Sequence, residues 1–168
     1  MFDLIFIRFH VFYPLAHHSN IDELKDKNYH ERLKALKIFS VERRRERFVI
    51  LNMYKILKGI GPNPGIIFKM NERTGVRAVV PQIKSNTPTH IKNMRINSFG
   101  YLGPQLFNAL PMELRNFEPA NNTTNLTFAF KTQLDKYLEK IPDEPTVNGL
   151  SRQANSNSLL EQINYKFN

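Results

Sequence analysis

Ser40-Val-Glu-Arg-Arg-Arg-Glu-Arg-Phe-Val-Ile-Leu-Asn-Met-Tyr-Lys-Ile-Leu-Lys-Gly59 is the stretch that decides the fold. Ser40 is a residue type that caps helix N-termini, and Glu42 stands in the first turn, where the helix dipole favours negative charge. Gly59 supplies the left-handed residue at which helices commonly stop. The spacing predicts a helix over 40–58. From Phe48 to Leu57 only Asn52 and Lys55 interrupt an apolar run. A helix that is apolar nearly all round is buried on several sides, so this one is expected at the centre of the domain.

Upstream, Asn28-Tyr-His-Glu31 has the spacing of a capping box, with Asn28 as cap and Glu31 reaching back. Tyr29, Leu33 and Leu36 then share one helical face, and Ile21 and Leu24 extend the pattern to a helix near 22–37. Downstream, Leu126, Phe130, Leu134, Tyr137, Leu138 and Ile141 form an apolar stripe at helical spacing. It predicts a helix over 125–140, ended by Pro142. Between these helices, Ile66-Ile67-Phe68 and Val76 to Val80 flank Asn71-Glu-Arg-Thr-Gly75, a hairpin pattern, and Ile96 to Leu102 reads as a further strand. Gly103-Pro104 is expected to turn the chain into a short helix near 105–109, with one more turn over 112–116. The expected fold class is a helix-rich α+β domain: three main helices near 22–37, 40–58 and 125–140, a small β element, and a disordered C-terminal tail with a short turn near 159–163. The expected divisions are a divergent segment over 1–19, a helix-rich domain over 20–141, and a polar flexible tail over 142–168, rich in Asn and Ser.

The 168 residues carry a net charge of +9 and no cysteine. The missing cysteines exclude disulfides, thiolate metal sites and cysteine nucleophiles. The charge is concentrated: residues 25–95 hold 17 basic and 5 acidic side chains, while the segments on either side are slightly acidic. Such asymmetry points to an anionic partner. The apolar start, Met1 to Ala16, is broken by Asp3, Arg8 and His10 and is too short for a bilayer span of about 20 residues. No membrane partner is expected. The sequons at Asn122 and Asn125 have meaning only in a secreted protein, and the start lacks the basic region of a signal peptide.

Little suggests catalysis. The five aspartates are Asp3, Asp22, Asp26, Asp135 and Asp143, with none adjacent to another, whereas two-metal phosphoryl transfer needs clustered carboxylates. His17-His18 has no carboxylate nearby in sequence before Asp22. Gly59-Ile-Gly-Pro-Asn-Pro-Gly65 is a turn-rich break without the Lys-Ser/Thr of a phosphate loop. No cofactor, metal, small-molecule substrate or catalytic residue is expected.

The densest chemistry is Glu42-Arg43-Arg44-Arg45-Glu46-Arg47. At 100° per residue the four arginines cannot share one face. Arg43 and Arg47 lie together, in line with Tyr54, and Arg44 and Arg45 point elsewhere, above Lys55 and Asn52. Two readings stand: contact with a nucleic-acid backbone, for which guanidinium forks are suited, or an internal ion-pair network. The candidate nucleic-acid-binding set is Arg44, Arg45 and Lys55, with Lys34, Lys37, Arg43 and Arg47. Within it, Arg43 and Arg47 are better suited to the structural role.

The run Tyr29-His-Glu-Arg32-Leu33 through Leu36, Ser40, Glu42, Arg43, Arg44 and Arg47, continued by Tyr54-Lys55-Ile-Leu57-Lys-Gly59, resembles a pattern found downstream of the polymerase core in jockey-like reverse transcriptases of non-long-terminal-repeat retrotransposons. Ser98-Phe99, Gly103-Pro104, Phe107-Asn108-Ala-Leu110-Pro111 and Leu114-Arg115 resemble a later block of the same family. Phe130-Lys131, Leu134-Asp-Lys-Tyr137-Leu138 and Ile141-Pro-Asp-Glu-Pro145 resemble its C-terminal helix and tail. The likeness covers residues 20–168. The family's catalytic aspartates lie in an upstream palm domain without counterpart in this chain, so none of them carries over. The resemblance implies a thumb-adjacent accessory region of an RNA-directed DNA polymerase, without polymerase activity of its own. The implied partners are RNA or DNA, met through phosphates, and other parts of a reverse transcriptase. The implied location is intracellular, with action in the nucleus. The rival readings are a packing or protein-interaction module that docks on a missing thumb domain, and a fragment with no selected function.

Overall fold

The computed structural model describes residues 24–61, 65, 68–73, 75–118, 126–145 and 157–166. Residues 1–19, His17-His18, Ile66, Ile67, Asn122 and Asn125 lie outside these. The chain divides into two compact units, 1–37 and 38–168. Among the described residues there are seven helices and no named strand, and no helix is long and apolar enough to cross a membrane.

In the first unit, α1 (Tyr29–Ala35) forms with the expected capping box. The Glu31 N–H donates to Asn28 Oδ1 at 3.0 Å, and the Asn28 N–H donates to Glu31 Oε2 at 2.8 Å. Two of the helix's orphan donors are thereby satisfied by local sequence alone. Of the expected apolar face only Leu33 is buried; Tyr29 and Leu36 are about half exposed.

The second unit is built on α2 (Val41–Leu57), within the expected bounds. Ser40 caps it, accepting from the Arg43 N–H at 3.1 Å. Lys58 closes its C-terminus, and Gly59 follows at φ +67°, a backbone that favours glycine. Ile50, Met53 and Tyr54 are fully buried. Phe48 is not. It is 56 % exposed, which corrects the expectation of a helix buried nearly all round. The helix buries one stripe and leaves the other in solvent.

The core closes with α4 (Phe99–Ala109) and α6 (Leu126–Leu138), which both pack on α2. Phe130, Leu134 and Leu138 of the expected stripe are fully buried, and Ile141 nearly so. The rings of Tyr54 and Phe130 stack face to face, with centroids 3.7 Å apart and planes within 2°. From α4, Leu106 and Phe107 complete this layer. The short α5 (Met112–Arg115) packs against α6.

The middle of the chain departs from expectation. The small β element reduces to one antiparallel bridge, Met70 with Ala78. On the outer side of Ala78 lies Asn108 of α4. Its amide donates to the Ala78 carbonyl and accepts from the Ala78 N–H, both at 2.8 Å. One side chain thus satisfies both backbone groups that a neighbouring strand would otherwise take up. The expected strand over 96–102 is helix instead. There α3 (Thr89–Ile96) ends at Asn97, and α4 starts at Phe99. Gly103 and Pro104 are buried inside α4 rather than breaking it.

The tail also differs. The chain after Pro142 does not all stay apart as a polar flexible segment. Residues 142–145 and 157–166 are placed, and the expected turn near 159–163 is a longer helix, α7 (Leu159–Lys166). Leu159 is fully buried in the core, with Leu160 and Ile163 packed against it. α7 lies against α4.

Candidate nucleic-acid interface

The four arginines of α2 separate into two pairs, as a helix of 3.6 residues per turn requires. Arg43 is fully buried. Its Nη2 donates to the Pro142 carbonyl at 2.9 Å, and its Nε lies 3.7 Å from Asp143 Oδ1 and 3.9 Å from Glu46 Oε2. Burial pulls its pKa below the ordinary arginine value, against the opposing pull of Glu46, Asp143, Glu42 and Tyr137. Arg47 forks onto Asp135 of α6, at 2.5 Å from Nε and 2.8 Å from Nη2. Both guanidinium groups are committed inside the fold. They leave the phosphate-contacting set for this reason: Arg43 is fully buried and Arg47 is taken up by Asp135.

Around Arg43 runs a polar seam that the sequence reading did not foresee. The Ser40 N–H and hydroxyl donate to Asp143 at 2.6 and 2.8 Å. The Asn157 amide donates to Ser40 Oγ at 3.0 Å and also to Asp143. Glu46 accepts from the Leu159 N–H at 2.9 Å and from the Ser158 hydroxyl at 3.0 Å. Burial pushes the Glu46 carboxyl above its ordinary value, more than these bonds and Arg43 pull it down. Asp143 and Glu46 thus cap α2 and α7 respectively, each accepting from a backbone N–H near the helix start. Asp143, which precedes Glu144 in sequence, thus serves as a cap.

The other pair is free. Arg44 and Arg45 are exposed, and neither has an ion pair among the described residues. Lys55, half-buried on the same helix, is likewise unpaired, whereas Lys58 is held by Glu118 at 3.1 Å. Lys34 and Lys37 are exposed in the first unit, Lys37 with a left-handed backbone at φ +53°.

The exposed Phe48 falls between the two free arginines when the helix is viewed down its axis, about 40° from Arg44 and 60° from Arg45. Val41, 44 % exposed, lies about 20° from Phe48 on the same face. This aromatic residue was missed because its neighbours in sequence are apolar and its place on the outer stripe depends on which side the core occupies. Its signal was the interval itself: Ile50, Met53, Tyr54 and Leu57 define the buried stripe, and Phe48 is off it.

The face therefore presents two cations and one flat ring, together with the half-buried Lys55. Guanidinium forks match phosphate geometry, and an aromatic ring offers a face on which a base can stack. Among the described residues no group of three or more His, Asp or Glu is placed to hold a metal ion. No protein-family model, curated protein or solved structure matches the chain.

Proposed function

We propose that the chain is a nucleic-acid-binding accessory region of reverse-transcriptase type, with no polymerase activity of its own, and that the outer face of α2 is its contact with single-stranded nucleic acid. The observation that carries this reading is Phe48, exposed between the unpaired Arg44 and Arg45. A ring flanked by free guanidinium groups is suited to a base and its phosphates. The ordered motif likeness and the basic block over 25–95 support the same reading. On it, the site of action is the nucleus, where a retrotransposon copy is made.

The test is fluorescence anisotropy of the whole chain with a short RNA, a short single-stranded DNA and a duplex DNA, across a salt series. Binding should weaken with log salt by about 0.7 per phosphate contact on a single strand. Reversing the charges in an Arg44→Glu, Arg45→Glu double variant should remove most of the salt dependence. Phe48→Ala should weaken single-strand binding roughly tenfold and leave duplex binding nearly unchanged. Binding indifferent to salt and to all three changes refutes the proposal.

A second reading rests on the same face. Val41 and Phe48 together offer an apolar strip that suits packing on another part of a larger protein. Concentration-dependent self-association of the chain, abolished by Phe48→Ser, with no nucleic-acid binding, would favour it.

A further inference from the structure

Glu42 and Glu46 stand one turn apart on α2, and both reach the start of α7. Glu42 Oε2 accepts from the Asn157 N–H at 3.2 Å. Glu46 accepts from the Leu159 N–H with both oxygens, at 2.9 Å each, and from the Ser158 hydroxyl at 3.0 Å. Two carboxylates of one helix thus receive backbone donors at the start of another. On a helix surface, a glutamate ordinarily pairs with a cation three or four positions away. For Glu42 the only such cation is Arg45. It lies about 60° round the helix and about 4.5 Å along it. Arg44 lies about 160° round, out of reach. Yet Arg45 has no ion pair among the described residues, and Glu42 is engaged with Asn157 instead.

The segment that holds Glu42 is able to come and go. It meets its own root: the Asn157 amide donates to Asp143, and the Gln162 amide donates to the Glu144 carbonyl at 2.8 Å. Residues 146–156 join these two places, and a chain of that length spans up to about 36 Å. The segment therefore leaves its place without drawing Asp143 along. Among the described residues of α7, Leu159 is the one fully buried apolar side chain. A chain-terminal helix with a single deep anchor is of the kind that opens locally, ahead of the core.

We infer that docking of the C-terminal segment 157–166 arms the outer face of α2 by taking Glu42 away from Arg45. With α7 in place, Glu42 is held at Asn157 and the Arg45 fork is bare. With α7 away, Glu42 turns back to Arg45, and a phosphate has to displace it. The inference rests on the reading of this face as a nucleic-acid contact, and it makes α7 a positive regulator of that contact. The coupling is reciprocal: the factor by which docking strengthens binding is the factor by which binding strengthens docking. A helical ion pair of this spacing sets that factor at about two.

The test follows amide hydrogen exchange in α7 of the full chain by mass spectrometry, first without nucleic acid. Exchange there reports how often the segment opens. Arg45→Ala removes the partner that Glu42 finds in the open form, so opening becomes rarer and exchange should slow about twofold. Arg44→Ala should leave exchange as in the parent. In a Glu42→Gln background, which keeps an acceptor for the Asn157 N–H, Arg45→Ala should have no effect. All three side chains are exposed, so each variant should fold as the parent does. Exchange that ignores Arg45→Ala, that responds equally to Arg44→Ala, or that still responds in the Glu42→Gln background overturns the inference. A second arm adds a saturating single-stranded oligonucleotide. It should slow α7 exchange about twofold in the parent and leave Glu42→Gln unchanged. An oligonucleotide that binds the parent without slowing α7 overturns the inference and leaves the reading of the face intact. An Arg45 effect without any oligonucleotide binding refutes that reading and upholds the handover of Glu42.

Discussion

The two halves of α2 are held in different ways. Its C-terminal half, from Ile50 onward, is fixed by apolar burial: Ile50, Met53 and Tyr54 meet Leu106, Phe107, Phe130 and Leu134. Its N-terminal half is fixed by the polar seam, where Ser40, Arg43 and Glu46 meet Asp143, Asn157 and Ser158. The apolar half tolerates any partner of suitable volume. The polar half depends on partners that match its donors and acceptors, and it does not answer them all: Arg43 Nε and Nη1 and Asn157 Oδ1 are buried without a hydrogen-bond partner among the described residues, which is costly. Burial lowers the pKa of Arg43 and raises that of Glu46, so for both groups desolvation outweighs pairing. The seam therefore contributes more to the choice of one arrangement than to its depth.

Phe130→Ala strikes the apolar half and should be the most damaging change, at about 3–5 kcal/mol by urea unfolding. A cost below that of the seam variants would reverse the ranking of the two halves. Asp143→Ala strips the Ser40 N–H of its acceptor and should cost about 1–3 kcal/mol. It should also raise hydrogen exchange at the start of α2 and in α7 while sparing α6. Arg47→Ala removes a partly exposed fork on Asp135 and should cost about 1 kcal/mol or less.

The pH dependence separates the halves further. Glu46 has its folded pKa raised by burial, so the folded chain holds that proton more tightly than the unfolded chain does. Its contribution to stability is fully present below the ordinary glutamate value of about 4.3 and is lost as pH rises through the raised value. Glu46→Gln keeps an acceptor for the Leu159 N–H and should flatten that part of the stability profile, read from urea midpoints at several pH values. A profile unchanged by Glu46→Gln would mean that the carboxyl titrates alike in both states. The smallest effect is expected from Arg44→Glu with Arg45→Glu, within about 0.5 kcal/mol per exposed site.

What was legible in the sequence was local. The Asn28 and Ser40 caps rest on contacts three residues apart, and the stripe of α6 rests on its own periodicity. What was not legible depended on distant partners. Asp143 and Asn157 look like solvent-facing tail residues until Ser40 is placed beside them, 103 and 117 positions away in sequence. The Met70–Ala78 pattern was read from its own alternation, and the contact of Ala78 with Asn108, 30 positions away, is not legible there. Gly103-Pro104 was read as a break from residue type alone, whereas both are buried inside α4. At the interface, the division of the arginines into inner and outer pairs followed from helix geometry, while the exposure of Phe48 required knowing where α4 and α6 lie.

The seam also sets an order of events. Because Ser40 is capped by residues made more than 100 positions later, α2 leaves the ribosome long before the groups that finish its first turn. Until residues 142–159 are made, Arg43 and Glu46 lack their partners in the seam, and an unfinished inner face of this kind is open to chaperones and to rival partners. Closure of the seam is a long-range event that lengthens the search for the native state. It makes arrival of the C-terminal segment the step that commits the domain.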